Sequence, residues 1–120
     1  MASDTKIPII PLGEELLVSF QGDIRDDQLS NLKSRLFEEL SATDIDAIIL
    51  DVSGLSTMDS FMARVLDELA KGAKINGVET YLAGIQPEVA MTLVEMGLSI
   101  PSVKAERNVG DVLDQTRSYS

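Results

Sequence analysis

The chain has 120 residues, 44% of them hydrophobic, a net charge of −10, and neither cysteine nor histidine. The missing cysteines exclude disulfides and thiolate metal sites, and the missing histidines remove the commonest general base and metal ligand. No apolar run approaches the ~20 residues of a membrane span, and the start Met1-Ala-Ser-Asp-Thr-Lys6 has no signal-peptide core. One domain over residues 1–120, located in the cytoplasm, is therefore expected. Its acidity opposes nucleic acid and anionic membranes as partners, since both need a basic surface. The charge is uneven: residues 1–60 carry twelve acids and four bases, residues 61–120 eight and six. That pattern serves solubility and suits a basic protein partner.

In chain order, Ile7 to Leu12 contains Pro8 and Pro11, which lack a ladder donor, so this strand belongs at a sheet edge. Gly13-Glu14-Glu15 is a tight turn into a second strand, Leu16 to Gln21, making an opening hairpin. Asp26 and Asp27 start a helix whose apolar positions Leu29, Leu32, Leu36, Phe37 and Leu40 have helical spacing, the acids complementing the helix dipole. Ala47-Ile-Ile-Leu50, an unbroken apolar run ended by Asp51 and the turn formers Ser53 and Gly54, reads as a parallel strand buried on both faces. From Phe61 the apolar residues Met62, Val65, Leu66, Leu69, Ala70 and Ala73 form one stripe of a helix, with Arg64, Asp67, Glu68, Lys71 and Lys74 opposite. Asn76-Gly77 stops it, and Val78 to Ala83 is the next strand. Pro87 opens a third helix with an expected buried stripe of Val89, Ala90, Leu93, Val94 and Met96. Val103 to Glu106 is a short last strand, Val109, Val112 and Leu113 mark a closing helix, and Ser118-Tyr-Ser120 is expected to fray. This order implies an α/β fold, a mixed central sheet of about five strands with about four helices on right-handed crossovers.

The chemistry concentrates at Asp59-Ser60, where either residue can cap the helix that follows. A hydrolase with Ser60 as nucleophile lacks a histidine, a Gly-x-Ser-x-Gly elbow and a nearby lysine. A receiver domain phosphorylated on Asp51 lacks the supporting acids after the first strand, and its chain would not open with a hairpin. Gly84-Ile-Gln-Pro87 matches neither phosphate-loop pattern. No enzymatic activity, metal or cofactor is expected.

The segments Lys6-Ile-Pro-Ile9, Leu16-Leu-Val-Ser19, Asp59-Ser-Phe-Met-Ala-Arg-Val-Leu66 and, above all, Leu82-Ala-Gly-Ile-Gln-Pro-Glu-Val-Ala-Met-Thr-Leu-Val-Glu-Met-Gly97 resemble the STAS domain family. Within it they resemble the small stressosome antagonists of anti-sigma-factor signalling. The resemblance implies a noncatalytic scaffold for stress-response signalling that packs with paralogous STAS sensor-scaffold proteins into a large oligomer. It implies a switch serine/threonine kinase held until that kinase phosphorylates Ser60, with Thr92 a weaker second phosphoacceptor. The partner surface is expected at Asp59, Ser60, Met62, Arg64 and the loop Gly84, Ile85, Gln86 and Pro87. The competing reading is a phospho-regulated STAS module for a small ligand, nucleotide or lipid. For Thr92 the plain alternative is a hydroxyl bonded back to a carbonyl one turn earlier.

Overall fold

The computed structural model describes residues 6–117; the expected fraying of Ser118 to Ser120 lies outside them. Nine elements follow one another: β1 (Ile9–Leu12), β2 (Glu15–Gln21), α1 (Asp26–Ala42), β3 (Ala47–Gly54), α2 (Ser60–Ile75), β4 (Glu79–Ala83), α3 (Pro87–Glu95), β5 (Lys104–Glu106) and α4 (Val109–Arg117). The sheet order is β1-β2-β3-β4-β5. β1 runs antiparallel to β2 and every other neighbouring pair is parallel, so β3 is central, as its apolar run requires. β1 starts two residues later than the sequence suggests. Pro8 offers only its carbonyl, which accepts from the Ser19 amide at 3.3 Å, while Ile7 is buried in the core without joining the strand.

The strand order never reverses after β2, so right-handed crossovers place α1, α2 and α3 on the same face of the sheet. Alternate residues of the parallel strands meet them there: Leu16, Val18 and Phe20 from β2, Ile48, Leu50 and Val52 from β3, and Leu82 from β4. The opposite face would stay open without α4, whose Val112 packs on Ala47, Ile49, Tyr81 and Ala83. Arg117 at its end reaches the β1–β2 turn, donating to the buried Glu15 carboxylate at 2.7 Å and the Leu12 carbonyl at 3.3 Å.

One expectation about α3 needs correction. Val89 and Leu93 are buried, but Val94 is 77% exposed and Met96 51% exposed, with Met91 at 66%. α3 has only nine residues and apolar side chains on several sides, so helical spacing alone does not choose the inner face. The sheet takes the Val89–Leu93 line and leaves Met91 and Val94 in solvent. The following loop is held elsewhere: Asp67, buried on α2, accepts from the Ser102 amide at 3.0 Å and pairs with Lys71 at 3.0 Å. Burial pushes the Asp67 carboxyl up, but the Ser102 hydrogen bond and the Lys71 ammonium outweigh it and hold it below the usual carboxylate range.

Candidate functional site

Because β2, β3 and β4 are parallel, their C-terminal ends open onto one end of the sheet, where the loops 22–25, 55–59 and 84–86 gather. The chain leaves β3 through a local hydrogen-bonded turn in which Asp51 Oδ1 accepts from both the Ser53 amide (3.1 Å) and the Ser53 hydroxyl (2.7 Å). The Asp51 carboxylate is thereby committed to its own strand end. At the start of α2 the choice between two possible caps is settled: Asp59 is the N-cap, its Oδ1 accepting from the Met62 amide at 2.8 Å. Ser60 is then the first residue of the helix. It is exposed, and its hydroxyl makes no hydrogen bond among the described residues.

The remaining expected contacts divide into exposed and buried. Arg64 is exposed, its guanidinium 5.3 Å from the centre of the Phe61 ring, a cation–π contact that keeps it one turn from Ser60. Met62 is 5% exposed. It belongs to the buried stripe of α2, so as a partner contact it is corrected: helical spacing turns it inward. Thr92 is exposed and its hydroxyl donates to the Glu88 carbonyl at 2.9 Å.

The loop Gly84 to Pro87 touches the β3 end rather than Ser60 itself. Gln86, the N-cap of α3, turns its side chain away from its own helix and donates from Nε2 to the Ser53 carbonyl at 2.8 Å. Gly84 has φ +76° and lies so close to Ser53 that a Cβ there would stand 2.9 Å from the Ser53 Cβ. The Gly84–Pro87 loop is thus fastened to the end of β3 at Ser53, a contact that sequence spacing does not reveal across 33 positions. A second feature was also missed: a groove of about 180 Å³ between the 22–25 and 55–59 loops, with Asp23, Asp26 and Thr57 among its lining. The sequence signal for it was modest, two acids close behind the β2 end. Its volume is below the roughly 300–1,000 Å³ of small-molecule pockets, which weighs against the nucleotide or lipid reading.

Residues 6–112 match the family model of the STAS domain. The chain belongs to the STAS domain family. It is 28% identical over 114 residues to the RsbT co-antagonist protein RsbRD of Bacillus subtilis (strain 168), covering 94% of this chain and 41% of that protein. Its identity to RsbRB of the same organism is 24% over 115 residues, covering 95% and 42%. This STAS chain thus spans about two-fifths of the length of these relatives. Among solved structures, a serine-to-glutamate variant of Moorella thermoacetica RsbS superposes with a TM-score of 0.82 at 28% identity, covering 96% of this chain and 97% of that one. A chain from the molecular architecture of the stressosome superposes with a TM-score of 0.79 at 29% identity, covering 93% and 97%. The resemblance read from the residue blocks therefore holds at the level of family and fold. No helix among the described residues of this STAS domain is long and apolar enough to cross a membrane.

Proposed function

We propose that this chain is a noncatalytic stressosome scaffold and antagonist that binds a switch serine/threonine kinase and releases it when phosphorylated on Ser60. The observation that carries this reading is the separation of roles at the start of α2: Asp59 caps the helix, leaving the Ser60 hydroxyl exposed and unengaged among the described residues. A capping serine would have to give up its hydrogen bond to be modified; this one does not. A phosphoryl group adds about −1.5 to −2 charge, which the helix start tolerates because its free amides and positive dipole end face that charge. The fold should accept it. A partner lying over Ser60 would instead have to desolvate a dianion beside the Asp59 carboxylate, which is costly without a new cation. Likeness to RsbS and to a stressosome chain at 28% and 29% identity supports the same reading.

The exposed apolar residues Met91 and Val94 on α3 offer a face for packing with paralogous STAS proteins, and Asp59, Ser60, Arg64 and the Gly84–Pro87 loop a face for the kinase. Thr92 is a second, weaker phosphoacceptor, its hydroxyl already bonded to Glu88. Incubating the protein with the purified switch kinase and Mg-ATP, followed by peptide mass spectrometry, tests the modification. Phosphate on Ser60 is expected; its absence there, with phosphate elsewhere, would overturn the assignment.

A further inference from the structure

The chain contains three asparagines, Asn31, Asn76 and Asn108, and of these Asn76 alone precedes a glycine. That pairing is chemically special. Glycine has no side chain beside its amide nitrogen, so in an Asn-Gly pair this nitrogen can attack the asparagine side-chain carbonyl. Gly77 N bonds to Asn76 Cγ, the Cγ–Nδ2 bond breaks and ammonia leaves; water then opens the resulting succinimide to aspartate or isoaspartate. The balance is one water consumed and one ammonia released, with no oxidant or reductant. Asn31 and Asn108 precede Leu32 and Val109, whose branched side chains hinder the same attack.

The fold holds this reaction off. Asn76 is the C-cap of α2, with φ −90° and ψ 10°, and Gly77 follows at φ +78°, a left-handed conformation that suits glycine. The Gly77 amide donates to the Lys74 carbonyl at 2.9 Å and the Val78 amide to the Ala73 carbonyl at 2.9 Å, the paired bonds of a Schellman motif. The attacking nitrogen is therefore already committed. The Asn76 side chain is held as well, its Nδ2 donating to the Gly72 carbonyl at 3.0 Å. Closing the ring requires a large rotation of the Asn76 ψ angle, which breaks the motif, and Ala73 and Val78 on either side are buried. Asn76 and Gly77 themselves are exposed, so water and hydroxide reach them whenever the last turn of α2 frays.

We propose that Asn76 is a site of spontaneous deamidation, kept silent by the C-cap of α2 and released to react when that cap opens. The product damages the cap that restrained it. A carboxylate cannot donate to the Gly72 carbonyl and meets the negative end of the α2 dipole, while isoaspartate adds a backbone methylene just ahead of β4. Conversion in an opened chain thus hinders its return to the folded state, and position 76 records past opening. The site lies at the opposite end of α2 from Ser60 and does not depend on the kinase switch.

The test holds the full chain at pH 8, folded in buffer or unfolded in guanidinium chloride, and follows each asparagine by peptide mass spectrometry and isoaspartyl methyltransferase labelling. Conversion at Asn76 should be about tenfold or more faster in the unfolded sample, and faster there than at Asn31 or Asn108. Equal rates in the folded and unfolded samples would overturn the protection by the cap. Conversion at Asn76 no faster than at Asn31 and Asn108 in guanidinium would overturn the site itself. Asn76→Asp, which reproduces one product, should fold with a lowered urea midpoint; an unchanged midpoint would overturn the claim that conversion damages the cap.

Discussion

Replacing Gly84 by alanine tests whether the loop contact at Ser53 has structural weight. Two costs are separable. The first is backbone: φ is +76°, a left-handed conformation that costs a residue with a Cβ about 1–2 kcal/mol. The second is contact: the new Cβ would stand 2.9 Å from Ser53 Cβ, well inside the roughly 3.5–4.0 Å of a normal carbon pair. Ser53 has little room to retreat, because its amide and hydroxyl are held by Asp51 and its carbonyl by Gln86. Overpacking of this kind costs about 1–3 kcal/mol, so Gly84→Ala should lose about 2–5 kcal/mol in all. Gly77→Ala is the internal control: φ is +78° and nothing lies within 4 Å of its Cβ position, so only the backbone cost applies, about 1–2 kcal/mol. Urea denaturation of both variants reads the difference, with midpoints lowered and the slope m unchanged. Equal destabilisation of Gly84→Ala and Gly77→Ala would refute the claim that the Gly84–Pro87 loop is locked against the β3 end at Ser53.

Asp67→Asn should destabilise the domain by about 1–3 kcal/mol at neutral pH, since the Ser102 amide and Lys71 lose their charged acceptor. Because the folded carboxyl lies below its ordinary value near 3.8, the wild-type advantage is fully present above that value and disappears as pH falls through the lower folded value; thermal melts at pH 7 and pH 3 should show the gap closing, and a constant gap would contradict the assignment. Thr80, 1% exposed, has a hydroxyl with no partner among the described residues, so Thr80→Val should raise stability by about 1 kcal/mol in urea titration; a loss would mean the hydroxyl is satisfied. Met91→Glu/Val94→Lys should change the monomer's stability by within about 0.5 kcal/mol, as exposed positions do, yet lower the sedimentation coefficient of complexes with a paralogue; an undiminished complex would remove α3 from the assembly face.

The parts of the fold that were legible in the sequence are those where local chemistry and burial agree. The unbroken Ala47–Leu50 run marks a strand covered on both faces, and it lies at the centre of the sheet between β2 and β4. The α2 stripe from Phe61 and the acids at Asp26 and Asp27 mark two helix starts, both observed where the pattern places them. α3 was misread because a short helix with apolar residues on several sides carries no unique inner face, and Val94 and Met96 came out exposed. Met62 was expected at the partner surface although its own periodicity turns it inward. At the site, Ser60 and the Gly84–Pro87 loop could be singled out from residue patterns, but their placement depends on tertiary contacts. The Gln86 bond to Ser53 spans 33 residues, and the groove needs loops from two different crossovers to meet.

The most direct measurement is calorimetry of the purified switch kinase against the unmodified protein, Ser60→Ala, Ser60→Asp and the Ser60-phosphorylated form. Ser60→Ala should fold and bind like the wild type, because Asp59 carries the cap. Ser60→Asp should bind more weakly, by adding a second acid beside Asp59 in the interface. The phosphorylated form should bind weakest, since it brings more charge and more oxygens to desolvate. Equal affinity across all four forms would contradict the switch and leave Ser60 as an ordinary first residue of a helix.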